Sequence, residues 1–75
     1  MPRYYFNVYH DQALLDDHGT ELPDLDAAWE EATRTAGLSI RDIDGKLRPG
    51  HDWRLEVTDE SKKPLWEIHV KAQLK

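Results

Sequence analysis

Cysteine is absent from this chain, which excludes disulfide staples, thiolate zinc sites and a cysteine nucleophile. A chain of 75 residues must then hold its fold by packing alone. Also missing is any apolar run of roughly 18 residues, the length a membrane-spanning helix requires. The opening MPRYYFNVYHDQ lacks the basic and then apolar segments of a secretory signal, so a soluble, cytoplasmic protein is expected. Positive charge is scarce, with ten Lys and Arg against fifteen Asp and Glu, a net charge of −5. Nucleic-acid binders gain affinity by neutralising phosphates with clustered cations, so a phosphate backbone would on balance repel this chain. No nucleic-acid partner is expected, and Lys62, Lys63 and Lys71 read as solubilising charges.

Phosphate-cradling and nucleophile motifs are lacking too. There is no G-x-G-x-x-G, no G-x-x-x-x-G-K-[ST] and no G-x-S-x-G, and GKLRPG has the wrong spacing for a phosphate loop. What remains is apolar enough for one core: 39% hydrophobic residues, including three Trp, three Tyr and one Phe. The length admits a single domain over residues 1–75. A domain of this size buries only about 60% of the surface its unfolded chain exposes, so its stability margin is small.

Alternation with period two marks the strands. RYYFNVYH, Arg3 to His10, places Tyr4, Phe6 and Val8 on one face and Arg3, Tyr5, Asn7 and Tyr9 on the other. Trp53, Leu55 and Val57 alternate within WRLEVT, and Trp66, Ile68 and Val70 within LWEIHVK. The short DESKKP link between these two segments forces an antiparallel hairpin. Asp11 and Gln12 turn the chain after the first strand, and Ala13-Leu14-Leu15 is a candidate short strand.

Pro23-Asp24 is the clearest helix start, since an Asp oxygen accepts hydrogen bonds from the first free N–H groups. Leu25, Ala28, Trp29, Ala32, Ala36, Ile40 and Ile43 then recur at helical spacing, which predicts an amphipathic helix from about Leu25 to Ile43. Gly37 is a candidate kink, Asp44-Gly45 a candidate stop, and Pro49-Gly50 a turn. The predicted fold is α+β: a small antiparallel or mixed sheet of three to four strands with one amphipathic helix packed on one face. Tyr4, Phe6, Val8, Trp53, Leu55, Val57, Trp66, Ile68 and Val70 would face that helix.

The acidic stretch DDHGTELPDLDAAWEEA raises the question of a metal or acid/base site. Aligning Gly19 with the glycine of an EF-hand loop puts Leu14 in the first ligand position, so that motif fails. A transition-metal set drawn from His10, Asp16, Asp17 and His18 has no recognised spacing. Asp16 and Asp17 are expected to be exposed in a solvated turn, with no cofactor and no catalytic residue. His51 falls in a loop and His69 on the outward face of a strand, neither with an identifiable partner. Tyr5 and Tyr9 fall on the sheet face away from the helix, and Trp29 on the flank of the helix stripe. Aromatics so placed favour contact with a partner.

MPRYYF, then D-x-x-G-x-E-L-P-D-L-x-A-A from Asp16 to Ala28, then WRLEVTDE from Trp53 to Glu60, resemble a family of small bacterial proteins known as domain of unknown function 6894. Where that family's pattern has Gly two residues after the Asp-Glu pair, this chain has Lys62; where the family has Arg or another polar residue, it has Trp29. The resemblance implies the fold and carries over no catalytic residue. A narrower likeness, from about Gly19 to Ala36, is to antitoxins of the HicB type and implies partner binding by analogy.

The resulting expectation is a non-catalytic protein-interaction module or homodimer, using the sheet edge or the uncovered sheet face, with Tyr5, Tyr9, Trp29 and His69 as candidate contact residues. The alternatives are a small-molecule or metal-binding domain built on the Asp16-Asp17-His18 turn, and an antitoxin-like regulatory protein.

Overall fold

The computed structural model describes residues 1–43 and 47–74. In chain order the elements are β1 (Arg3–His10), β2 (Gln12–Leu14), β3 (Thr20–Glu21), α1 (Leu25–Ile43), β4 (Trp53–Thr58) and β5 (Pro64–Val70). The strands form one antiparallel sheet of order β2-β1-β4-β5, and β3 also pairs with β1. The α+β fold class agrees with the expectation, but the sheet has five strands instead of three or four.

Two details explain the difference. β3 is only two residues long, Thr20↔Tyr4 and Glu21↔Arg3, too short to carry an alternation signal. β2 is Gln12–Leu14 and excludes Leu15, because Asp11 alone reverses the chain in a left-handed conformation (φ 64°) and His10 pairs directly with Gln12.

The helix spans the predicted residues. Asp24 caps it, its Oδ1 accepting from Ala27 N at 2.9 Å and its carbonyl from Ala28 N at 3.1 Å. At 19 residues it is about 28 Å long and crosses one whole face of the sheet. It runs through Gly37 without a break, where a Cβ would meet nothing within 4 Å. The predicted stop at Asp44-Gly45 lies outside the described residues.

Core packing is asymmetric. The helix contributes small side chains, Ala28, Ala32 and Ala36, while the sheet contributes large ones, with Trp53, Leu55 and Val57 fully buried. Alanine lets the helix backbone lie close, so the bulk is supplied by β4, which is flanked on both sides by other strands. All nine predicted helix-facing residues belong to this core or pack against it. Leu25 departs from the predicted stripe, 53% exposed, and Trp29 stands on its flank as expected, 44% exposed. The buried positions recur every four residues along a 3.6-residue turn, so the stripe drifts around the helix and leaves its first turns' flank outside.

Both later turns form where the sequence places them. Gly50 (φ 85°) completes the Pro49-Gly50 turn, closed by His51 N donating to Arg48 O. In the β4–β5 hairpin, Asp59 Oδ1 accepts from Ser61 N and Lys63 N, and Lys62 takes a left-handed φ of 65°. That slot favours glycine, and it is the position where this chain departs from the family pattern by carrying Lys.

Candidate functional site

Asp16 is not exposed as the sequence suggested; it is half-buried and works as a staple. Its Oδ1 accepts from Gly19 N at 3.0 Å and His18 N at 3.2 Å, and its Oδ2 accepts from Phe6 N at 3.2 Å. Asn7 Oδ1 accepts in turn from Asp16 N at 2.9 Å. Burial pushes the Asp16 carboxyl pKa up, but the backbone donors Gly19, Phe6 and His18 outweigh it and hold the group below its ordinary 3.8. Both carboxylate oxygens are thus engaged by the chain's own backbone. Arg3 closes the same loop from below, with Nη1 donating to His18 O at 2.7 Å and Nη2 to Glu21 Oε1 at 2.9 Å.

The position of this staple matters for the sheet. β2 covers the outer edge of β1 along Val8–His10 and β3 covers it along Arg3–Tyr4, leaving a gap between them. Asp16 fills the gap by taking the Phe6 N–H. Among the described residues, the other outer edge, that of the seven-residue β5, pairs with nothing.

The face away from the helix carries Tyr5, Asn7 and Tyr9 from β1, Arg54, Glu56 and Thr58 from β4, and Glu67 and His69 from β5. Tyr9, Arg54 and His69 stand in one cross-strand row. The Arg54 guanidinium lies 4.1 Å from the centre of the Tyr9 ring and donates to Glu67 Oε2 at 3.0 Å. His69 has a partner the sequence did not reveal, Asp52, with Nε2 to Oδ2 at 3.2 Å. His51 is likewise bonded to Asp11 at 3.0 Å, and this bond, against partial desolvation, lowers the Asp11 pKa from its ordinary 3.8. The Nε2 of His10 is buried without a hydrogen-bond partner.

Two open hollows mark this face. One, of about 450 Å³, is lined by Tyr5, Asn7, Tyr9, Asp16, Glu56 and Lys62, among others. The other, of about 340 Å³, lies where Tyr9, Asp52, Arg54 and His69 meet. Among the described residues, no group of three or more His, Asp or Glu side chains converges in a geometry that holds a metal ion. No described helix is long and apolar enough to cross a membrane.

At the β5 rim, Trp29 from the helix packs against Trp66 with ring centroids 5.4 Å apart at 59°. Trp66 packs on the core but is only partly buried, so this tilted pair forms an aromatic ledge beside the open edge. Of the four candidate contact residues, Trp29 stands at this ledge, His69 on β5 itself, and Tyr5 and Tyr9 on the uncovered face further in. Sequence reasoning singled out Asp16 only as a candidate ligand in an exposed turn and missed both its stapling role and Asn7. The signal for Asp16 was the D-x-x-G spacing, which places an aspartate oxygen within reach of the N–H groups that follow it; Asn7, nine residues upstream, has no such local signal.

A thin open sheet with one helix on one face defines a small α+β domain, and the site on it is an edge and a face instead of a cleft. A family model described as Domain of unknown function (DUF6894) matches residues 3–71, and the chain belongs to that family. No curated protein and no solved structure matches the chain.

Proposed function

We propose that this chain is a non-catalytic protein-interaction module that docks through the outer edge of β5. The observation that carries this reading is the contrast between the edges: that of β1 is closed by β2, β3 and the Asp16 carboxylate, while that of β5 is uncovered among the described residues. An uncovered edge presents a row of unpaired N–H and C=O groups that a strand from another chain satisfies. The Trp29–Trp66 ledge beside it supplies the large apolar contact that hydrogen bonds alone do not give. The uncovered face is the weaker docking surface, because Arg54 already spends its charge on Glu67 and Tyr9 within the chain.

The test is amide hydrogen exchange followed by residue. In the free chain the outward β5 amides exchange fast. On binding a partner, or on raising the concentration, they become protected together while those of β4 change little. Outward β5 amides that stay unprotected in every complex the chain forms would remove the reading.

A further inference from the structure

We infer that the strand docking on β5 is β5 of a second copy, arranged about a two-fold axis through Ile68; this rests on the interaction reading above and specifies its partner. Two identical antiparallel strands are related by an axis perpendicular to their sheet, so residues that face one another across the junction share a side. The admissible registers are therefore those centred on a residue, and the side chains of β5 choose among them.

Centring on Glu67 sets that carboxylate directly against its own copy and asks Pro64, which has no N–H, to pair at the end. Centring on His69 overlaps only Ile68 to Val70. Centring on Ile68 pairs Trp66 to Val70 in full. On the helix side Ile68 then meets Ile68 and Trp66 meets Val70, while on the other side Glu67 meets His69, a carboxylate beside an imidazole, each with one polar atom already bonded within its own chain, to Arg54 and to Asp52. Polar and apolar matching thus favour this register over those centred on Glu67 and His69.

The same axis puts both helices on one side of a continuous sheet. Trp29 stands over Trp66, and Leu25 lies one turn before it on the same flank, so these exposed apolar groups flank the junction and add to the buried area. A five-residue strand pair alone falls short of the roughly 1,000 Å² expected of a specific interface, and this flank is what enlarges it. At the opposite edge β2 offers only three residues.

Because the chain has no cysteine, single replacements report the register directly. Facing positions in an antiparallel pair are about 4.5–5.5 Å apart at Cα, within the range a disulfide bridges. Glu67→Cys and His69→Cys, both at exposed sites, are mixed, one with a short tag, and oxidised at a concentration where light scattering reports association. The mixed cross-linked dimer should form in large excess over either single-variant dimer. Preferential self-linking of Glu67→Cys or of His69→Cys would place the axis elsewhere and overturn the inference, as would cross-linking in statistical proportions. If either variant loses its native circular dichroism, Leu65→Cys mixed with Lys71→Cys reads the same register. A chain that stays monomeric at all concentrations, yet protects its β5 amides on binding a different protein, would overturn the second copy and leave the interaction reading standing. A chain whose β5 amides are never protected would sink both.

Discussion

Replacing Asp16 with Ala removes the acceptor of three backbone N–H groups at once. The bond from His18 N is exposed, so water replaces it at little cost. Those from Phe6 N and Gly19 N are partly buried, and each should cost about 1–1.5 kcal/mol when its acceptor is a lost carboxylate. The expected destabilisation is therefore about 2–3 kcal/mol, out of a total on the order of 4–11 kcal/mol for a domain of this length. At about 4–8 °C per kcal/mol, the melting temperature should fall by about 10–20 °C. Asp16→Asn keeps one acceptor oxygen and should lose about half as much.

The pH dependence checks the same assignment. Since the folded-state pKa of Asp16 lies below its ordinary 3.8, its contribution is complete above that value and lost as pH falls through the folded-state pKa. Asp11 acts with the same sign through His51, so Asp16→Asn should shallow the acid limb of the stability curve without abolishing it. Thermal and urea melts followed by tryptophan fluorescence, from neutral pH to about pH 3, supply both readouts. If Asp16→Ala costs less than about 0.5 kcal/mol, the scatter expected of a surface substitution, the staple is not holding the loop and the reasoning about the closed β1 edge fails.

Gly37→Ala should stabilise the protein by up to about 1 kcal/mol, since the helix is continuous there and the added methyl meets nothing within 4 Å; a drop in melting temperature would contradict this. Lys62→Gly should raise stability by about 1 kcal/mol by relieving the left-handed φ of 65° in the β4–β5 turn, read by urea denaturation. Gly19→Ala should destabilise by about 1–3 kcal/mol, because its Cβ would lie 2.7 Å from Arg3 Cγ and 2.9 Å from Tyr5 Cε2 at a φ of 71°. A neutral result in the same denaturation assay would show that the Asp16 loop is looser than drawn.

The parts of the fold that the sequence disclosed are those governed by short-range periodicity. Alternation in β1, β4 and β5 assigned every large side chain to its side of the sheet, even though a bulge between Val57 and Thr58 shifts the pairing of β4 with β5. The Asp24 cap and the apolar spacing fixed the helix limits because both signals lie within a few residues of the boundary. What stayed hidden depends on partners distant in the chain. Strand order is set by which edges pair, and nothing local in β1 records that its neighbour is β4, more than forty residues on. The Asp52–His69 bond joins residues 17 apart, diagonal across a hairpin, and becomes legible only once the register is known.

Asp16 is the sharper case, because its local role was readable and its structural consequence was not. The D-x-x-G turn accounts for the bonds to His18 and Gly19, three residues away or fewer. The bond to Phe6 spans ten residues, and it is this one that seals the gap between β2 and β3. A carboxylate group that looks like chemistry in one dimension acts in three as a substitute for a missing stretch of strand. That substitution makes the sheet lopsided: the β1 edge is sealed from within the chain, the outer strands β2 and β3 are three and two residues long, and the longest uncovered run of the described strands lies along the seven-residue β5, beside its aromatic ledge. If the chain associates through β5 as proposed, the acidic turn favours that edge without touching a partner, and Asp16→Ala, which frees the Phe6 N–H in the gap between β2 and β3, should add a second, weaker mode of association detectable by light scattering.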